Sequence, residues 1–268
     1  GWDKWLSTLL ELVGYDAERE KLIFFVGESD YQAELTKRGF ETCLEERQFG
    51  ISATMIRENP SLYWKYIAQP FRRHFTKKVL IMGSASNGKT TLAKDLARFY
   101  DAPVSLEYAR EYQIQNNVRD DELTPKDYYY LLLGQYAQTS RLIDSSANRG
   151  LVVADTNSLV TKAYYDYYLK ESPVQNEETE TFDNLFASIL SKEKWDLILF
   201  AEPIGAYVND GFRDMSMADE AIRSDFSSYL KKLREQCLAH IPTVYLAGSY
   251  LDNYQAAKEA INKIYQAD

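Results

Sequence analysis

Short apolar runs alternate with stretches of helical periodicity over most of this chain. After residue 76 the mainly apolar runs predict five buried strands, at 78–82, 104–107, 151–154, 197–201 and 243–247. The segments between them space their apolar residues three and four positions apart, which predicts helices at 89–100, 126–147, 157–170, 179–191, 217–239 and 253–266. Repeated alternation of strand and helix is typical of an α/β fold, with a five-stranded parallel sheet and helices on both faces.

The residues before 76 show a similar pattern in shorter elements. They predict helices at 2–13, 30–38 and 61–75, strands at 22–27 and 41–45, and a short helix opening at 51–54. Pro60 limits how far that short helix runs. We therefore predict two domains, 1–75 and 76–268. The acidic and polar segment 171–181 is predicted to be an exposed loop.

Residues 83–90 read GSASNGKT, which fits the phosphate-binding pattern G-x-x-x-x-G-K-[ST] at every fixed position. A predicted strand precedes the loop and a predicted helix follows, so backbone N–H groups and a helix N-terminus can surround phosphate. Lys89 can reach the β- and γ-phosphates, and the Thr90 hydroxyl can hold Mg²⁺. We therefore predict ATP and Mg²⁺ as cofactors. The predicted nucleotide-binding residues are Gly83, Ser84, Ala85, Ser86, Asn87, Gly88, Lys89, Thr90 and Thr91.

Composition and charge exclude several other classes. The formal net charge of −9 argues against nucleic acid or an anionic membrane as the main partner. Cys43 and Cys237 are too few for a disulfide scaffold or a zinc site, and they fit a reducing cytoplasm. No apolar run reaches the roughly 18 residues that span a bilayer. The start at Gly1 suggests a cleavage product or a fragment, and the oligomeric state stays open, a homo-oligomer included.

Polar residues follow the predicted strands, at the edge where parallel sheets bind ligands. Glu107 ends the strand at 104–107, and Tyr108 and Arg110 follow it. The carboxylate suits binding of hydroxyl groups, the tyrosine suits a ring, and the arginine suits phosphate or ribose. The alternative is a structural role, in which these charged residues form two ion pairs at the start of a helix. Asp155 ends another strand, where an acid can orient Mg²⁺ or accept a proton from an attacking hydroxyl. Asn157 is assigned to the substrate.

Two further groups are candidates for the ligands of this site. Arg213, on a loop that contains Gly211, suits a lid that closes over phosphates, together with Arg223, although an exposed loop arginine is the alternative. The tyrosine clusters near residues 129 and 165 suit amphipathic helix surface or stacking on a planar ring, and we assign Tyr129 to the substrate.

The first segment carries a third nucleotide candidate. Ser52 and Thr54 lie at a helix start with Arg57 about one turn on, so hydroxyls, helix N-terminus and arginine can together hold a triphosphate. An ordinary N-cap followed by an exposed arginine is the alternative. Trp2 and Trp5 can stack on a ring or pack in a core.

Together these motifs resemble the NadR family of bacterial NAD-biosynthesis proteins over nearly the whole chain. GSASNGKT, EYARE, VVADTN and NDGFRD resemble its kinase phosphate loop, the segment after strand two, the strand-three acid and the lid loop. ISATMIR resembles the I-S-x-T-x-x-R motif of its nucleotidyltransferase ATP site. The resemblance implies a P-loop nicotinamide riboside kinase domain at 76–268, preceded by a partial, Rossmann-like nicotinamide mononucleotide adenylyltransferase domain at 1–75.

One departure from the family pattern concerns the adenylyltransferase half. That half carries an H-x-G-H type motif near its first strand, whereas this chain has only His74 and His240, outside such a context. The chain therefore resembles the C-terminal half of that domain followed by a complete kinase domain. Adenylyl transfer by this polypeptide is predicted to be absent or crippled.

The resemblance implies a kinase that phosphorylates nicotinamide riboside to nicotinamide mononucleotide, whereas the phosphate loop by itself indicates only nucleotide binding. Lys89 binds phosphates, Asp155 orients or deprotonates the 5′-hydroxyl with Glu107 as second choice, and Arg213 closes over the phosphates. The alternatives are a kinase for another nucleoside and a nucleotide sensor without turnover. A GTPase is disfavoured because residues 262–265, NKIY, lack the final acid of N-K-x-D.

Overall fold

A two-stranded parallel sheet organises residues 1–57 in the computed structural model, which describes residues 1–45, 47–169 and 176–266. The elements are α1 (Trp2–Leu12), β1 (Ile23–Val26), α2 (Ser29–Lys37), β2 (Glu41–Leu44) and α3 (Ala53–Glu58). Leu6, Val26 and Leu35 form the small buried core. Phe25 points to the other face of the sheet and remains 70% exposed. The helices and strands predicted up to residue 57 are confirmed within two residues at each bound given. The helix predicted at 61–75 is wrong over its first half, because the structure has a short 3-10 turn at Trp64–Tyr66 and a helix only at Gln69–Phe75.

Residues 58–268 form a second compact unit built on five parallel strands in the order β4-β5-β3-β6-β7. The strands are β3 (Lys77–Met82), β4 (Val104–Ser105), β5 (Leu151–Asp155), β6 (Leu197–Ala201) and β7 (Thr243–Leu246). The helices are α4 (Gln69–Phe75), α5 (Lys89–Phe99), α6 (Tyr108–Asn116), α7 (Pro125–Ile143), α8 (Ser158–Leu169), α9 (Asn176–Lys192), α10 (Glu220–Leu238) and α11 (Tyr250–Gln266). The predicted five-stranded parallel sheet is confirmed.

Alternation along the central strand builds two separate hydrophobic layers. Val79 and Ile81 of β3 pack against α5 and α11, whereas Leu80 and Met82 pack against α7, α8 and α10. Because successive side chains of a strand point to opposite faces, a wholly apolar strand requires cover on both sides. Helices on both faces, as predicted, supply that cover.

Residues 58–75 belong with the second unit, whereas the predicted boundary lay near 76. Trp64 is buried and its ring lies 3.5 Å from where a Cβ on Gly150 would stand. Arg73 of α4 pairs with Asp144 at 2.6 Å, and Gln69 donates to the Asp144 carbonyl. These contacts join distant parts of the chain, so local periodicity does not reveal them.

Several predicted elements differ from the structure. Helix α6 was missed because its sequence, YAREYQIQN, is polar and weakly amphipathic. The strand predicted at 104–107 ends at Ser105, and the helix predicted to reach 147 ends at Ile143. Helix α9 begins at Asn176, so 176–181 are helical rather than loop, whereas 171–175 lie outside the described residues. No helix in the described ranges has the length and apolar character to cross a membrane.

Gly134 of α7 lets Tyr108 pack against that helix, because a Cβ at Gly134 would stand 2.0 Å from the Tyr108 ring. We expect Gly134→Ala to lower the free energy of unfolding by about 1–3 kcal/mol, as overpacking does. Thermal unfolding of Gly134→Ala, Tyr108→Ala and the double variant measures this. The double variant should lose less free energy of unfolding than the two single variants lose together, because removing the Tyr108 ring removes the clash. Additive effects would contradict the packing explanation.

Candidate active site

The phosphate loop connects β3 to α5 and has the backbone conformation that its glycines permit. Gly88 adopts φ +72° as the N-cap of α5. Gly83 adopts φ +143°, and a Cβ there would stand 2.4 Å from the Ala201 carbonyl oxygen. Any larger residue at Gly83 would therefore push β3 away from β6. The loop lies at the carboxyl end of the sheet, where α/β proteins bind ligands.

The loop side chains are held in place before any ligand arrives. Lys89 is 9% exposed, and its Nζ donates to the Ser84 carbonyl oxygen at 2.6 Å. Asn87 Nδ2 donates to Ser84 Oγ at 2.9 Å and to the Ala201 carbonyl at 3.2 Å. The residues from Ala85 to Thr91 line a cleft of about 300 Å³ with Glu107, Arg110, Val208 and Arg213. Of the predicted phosphate-loop residues, Gly83 and Ser84 do not line this cleft.

Asp155 sits beside the loop at the end of β5 and is fully buried. Thr90 Oγ1 donates to its Oδ2 at 2.5 Å. Its Oδ1 has no hydrogen-bond partner within the described ranges. Burial raises the pKa of Asp155 to about 6, against the Lys89 cation and helped by the Glu107 carboxylate. A half-satisfied carboxylate next to a loop hydroxyl is a donor set that suits a divalent cation.

Glu107 and Arg110 stand between the phosphate cleft and a second, narrow cavity, because both line each of them. Arg110 lies 3.8 Å from Glu107 and 3.4 Å from Asp210. Burial works to lower the pKa of Arg110, but the carboxylates of Glu107, Asp120 and Asp210 more than offset it and raise that pKa. The guanidinium therefore stays charged at this junction.

Aromatic side chains line the narrow cavity, which encloses about 40 Å³. Tyr128, Tyr164 and Tyr168 contribute rings, and those of Tyr164 and Tyr168 stack with centroids 6.3 Å apart. Asp120 contributes a carboxylate whose pKa is raised by burial. Flat rings beside a carboxylate and an arginine suit a ligand with a planar ring and hydroxyl groups.

Four residues assigned to the substrate lie outside the lining of this cavity, and Asp155, described above, is one of them. Tyr129 donates its hydroxyl to the Glu178 carbonyl at 3.0 Å, and Tyr108 packs on Gly134. Asn157 Nδ2 donates to Glu193 Oε2 at 2.8 Å, and neither residue lines the cavity. Asp120, which does line the cavity, was missed because nothing in the polar sequence RDDE distinguishes it from an exposed turn.

Residues 205–214, here called the lid, contact residues that line both cavities. Val208 N donates to Ser86 Oγ of the phosphate loop at 2.9 Å. At the other end, Asp120 Oδ2 accepts from Asp214 N at 3.2 Å. Asp210 accepts ion pairs from Arg213, at 3.2 Å, and from Arg110. The lid thus contacts both the phosphate loop and the cavity of tyrosines.

The two predicted lid arginines have different surroundings. Arg213 lines the phosphate cleft, and its Nη1 donates to the Val208 carbonyl at 2.6 Å. Arg223 of α10 is buried behind the lid, where it donates to the Gly205 carbonyl at 3.0 Å. Both guanidinium groups lie about 6 Å from the ring of Tyr207, at 5.8 and 6.0 Å. Arg213 therefore lines the phosphate cleft, whereas Arg223 does not line it and instead supports the start of the lid.

The nucleotide candidates of the first unit form local hydrogen bonds. Ser52 Oγ accepts from Met55 N at 3.1 Å, which is an N-cap geometry. Arg57 Nη2 donates to Thr54 Oγ1 at 3.3 Å. Trp2 and Trp5 pack edge-to-face on each other, with ring centroids 5.6 Å apart.

Comparison with known proteins gives one family model and several relatives. A model described as an AAA domain matches residues 78–251. The trifunctional NAD biosynthesis/regulator protein NadR of Salmonella typhimurium is 28% identical over 272 residues, covering 98% of this chain and 62% of its own length. The Escherichia coli protein of the same name is 28% identical over 242 residues, covering 88% and 55%. The chain thus spans less than two thirds of these curated relatives.

Solved structures extend the similarity to the fold. A NadR protein in complex with NR is 40% identical, with a TM-score of 0.76, and the match covers 98% of this chain and 74% of that one. A NadR protein in complex with NAD and AMP-PNP is 38% identical, with a TM-score of 0.74 and coverage of 98% and 72%. The deoxyadenosine kinase from M. mycoides shares the fold alone, at 12% identity and a TM-score of 0.56, with coverage of 69% and 99%.

Proposed function

Because the chain belongs to the NadR family and carries an AAA domain over residues 78–251, we propose that it transfers the γ-phosphoryl group of ATP to nicotinamide riboside. The product is nicotinamide mononucleotide. One observation carries the proposal: a phosphate loop and a cavity of tyrosines meet at Glu107 and Arg110. A phosphate donor and a ringed acceptor can therefore lie on either side of one junction.

The phosphate loop holds the donor. The backbone N–H groups of residues 84–90 and the N-terminus of α5 face the β- and γ-phosphates. The Lys89 ammonium group, which the Ser84 carbonyl holds against the loop, adds a positive charge there. Arg213 lines the same cleft from the lid and completes the positive surround of the transferred group.

Thr90 and Asp155 are the residues that would hold Mg²⁺, because Asp155 has a free buried oxygen next to the Thr90 hydroxyl. No group of three or more His, Cys, Asp or Glu suits a metal in the described part of the chain. A cation held by one or two side chains together with nucleotide phosphates is usual for Mg²⁺. Such an ion supplies positive charge that offsets the charge developing on the phosphates.

Glu107 is the group best placed to accept the proton of the acceptor hydroxyl, because it lines both cavities. Asp155 lines neither, so the geometry favours Asp155 for the cation and reverses the sequence-based ranking of the two acids. In the transfer, the riboside 5′-oxygen bonds to the γ-phosphorus and the bond to the β,γ-bridging oxygen breaks. ADP leaves with that electron pair, and the hydroxyl proton goes to the Glu107 carboxylate.

The lid must open to admit the riboside. The tyrosine cavity encloses about 40 Å³, whereas small-molecule sites usually measure roughly 300–1,000 Å³. Its cover is made by few contacts, among them Asp214 N to Asp120 and Arg110 to Asp210. Opening and closing of residues 205–214 would admit the acceptor and then exclude water from the transfer.

The first unit is proposed to be part of a nicotinamide mononucleotide adenylyltransferase domain, with Ser52, Thr54 and Arg57 as a partial nucleotide site. In an intact protein of this family, that domain would convert the kinase product to NAD. The proposed domain bounds, which follow the family resemblance, are 1–75 and 76–268, although residues 58–75 pack with the second compact unit. The proposed setting is the cytoplasm.

Coupled ADP release with Mg-ATP, with and without nicotinamide riboside, tests the kinase proposal. ADP formed only with the riboside, together with nicotinamide mononucleotide by mass, is the expected result. A panel of other nucleosides tests the acceptor, and equal rates with them would assign a different nucleoside kinase. ATP binding without ADP in any case would indicate a sensor instead.

The rate of phosphoryl transfer is expected to rise with pH through about 6. Burial raises the pKa of Asp155 to about 6, so this carboxyl is protonated below that pH and cannot hold a cation. We expect kcat/KM to fall about tenfold per pH unit below 6 and to level off above 7. Initial rates from pH 5 to 8 measure it, with circular dichroism as the control for folding. A flat profile would contradict this role of Asp155.

A further inference from the structure

A second large cavity opens at the end of the sheet opposite the phosphate loop. It measures about 520 Å³, which is within the range of small-molecule sites. Lys78, at the start of β3, lines it, and Gly83 follows five residues later at the other end of that strand. At roughly 3.3 Å per residue the two ends lie roughly 17 Å apart. A ligand in this cavity is therefore separate from the proposed active site.

The lining of this cavity is positively charged, although the chain carries a formal charge of −9. Four cationic side chains outnumber two carboxylates among its lining residues: Arg73, Lys78, Lys192 and Lys194 against Asp144 and Glu193. His74 also lines it. A local excess of positive charge on an acidic protein selects anions.

Two of the cations are already paired and two are available. Arg73 pairs with Asp144 at 2.6 Å. Lys78 donates to the Thr76 carbonyl at 2.7 Å, and burial lowers its pKa. In the described ranges, Lys192 and Lys194 have neither a hydrogen bond nor an ion pair through their side chains. They therefore can direct their ammonium groups at a ligand without breaking an existing contact.

Both carboxylate oxygens of Glu193 accept hydrogen bonds from the protein. Its Oε1 accepts from Ser158 N at 3.2 Å, and its Oε2 accepts from Asn157 Nδ2 at 2.8 Å and from Trp195 Nε1 at 3.3 Å. These three donors occupy the carboxylate, while burial raises the pKa of Glu193 against them and disfavours its charged form. Trp195 and Tyr136 give the same cavity aromatic walls.

We propose that this cavity is a second ligand site, which takes a phosphorylated small molecule with a planar ring, such as a nucleoside phosphate. Lys192 and Lys194 bind the phosphate, and Tyr136 with Trp195 contacts the ring. The site holds a molecule that is not undergoing phosphoryl transfer, because the phosphate loop lies at the far end of the sheet.

Calorimetric titration with AMP tests the site in the Lys89→Ala protein, where phosphate binding at the active site is weakened. We expect saturable binding that Lys192→Glu with Lys194→Glu weakens at least about tenfold in Kd. The matched control reverses two exposed lysines outside every cavity described above, Lys126→Glu with Lys232→Glu. It makes the same change of net charge and should leave Kd unchanged.

Three results would overturn the proposal. One is no detectable binding of AMP at concentrations up to about 10 mM. Another is binding that the Lys192 and Lys194 substitutions leave unchanged. The last is an equal loss in the control, which would assign the effect to overall charge. The outcome does not depend on the kinase proposal, because no turnover is measured and every variant carries the same weakened phosphate loop.

Discussion

Lys89→Ala is expected to lower kcat/KM for phosphoryl transfer about 10²–10³-fold, a loss of about 3–4 kcal/mol of transition-state stabilisation. Lys89 is nearly buried and its Nζ lies 2.6 Å from the Ser84 carbonyl, at the mouth of the phosphate cleft. Its cation therefore already points to where charge develops on the phosphates. Initial rates of ADP release, measured over a range of ATP concentration at saturating nicotinamide riboside, give kcat/KM for ATP.

Arg98→Ala is the matched control, because Arg98 lies on the same helix, is exposed, and does not line the phosphate cleft. This variant should turn over at the wild-type rate. Wild-type turnover of Lys89→Ala would remove the phosphate loop from the mechanism. An equal loss in both variants would point to damage to α5 instead.

Asp155→Asn is expected to lower kcat about 10²–10⁴-fold while ATP binding in the absence of Mg²⁺ changes little. Asparagine has nearly the same shape and can still accept from Thr90, so the loop should keep its geometry. What is lost is the buried negative charge that would hold the cation. Single-turnover rates and calorimetric titration with ATP, each over a range of Mg²⁺ concentration, separate binding from chemistry.

Comparing Glu107→Gln with Asp155→Asn tests which acid accepts the proton and which holds the cation. We expect it to lower kcat with an unchanged Mg²⁺ dependence, whereas Asp155→Asn should raise the Mg²⁺ concentration needed for half-maximal rate. If the Mg²⁺ dependence shifted in Glu107→Gln and not in Asp155→Asn, the two assignments would be exchanged. Thermal unfolding of both variants controls for loss of structure.

Much of the architecture follows from local pattern. The strands at 78–82, 151–154 and 197–201 are apolar apart from Lys78, because each is covered on both faces, and such runs have few alternatives to a buried strand. Helix α6 escaped prediction because it is held by specific polar contacts, such as Gln113 Nε2 to Asp120 Oδ1 at 2.7 Å, rather than by an apolar stripe.

By itself, the sequence determined the phosphate loop, the parallel sheet around it and the acids at the strand ends. Each is a short-range signal, in which glycines, apolar runs and their spacing act within a few residues. Only the tertiary structure decided which of those acids meets which partner. Asp155 accepts a hydrogen bond from Thr90, and Glu107 lines two neighbouring cavities. Asn157, which follows the same strand as Asp155, donates to Glu193. Such contacts join residues tens of positions apart, and their geometry depends on how the helices pack on the sheet.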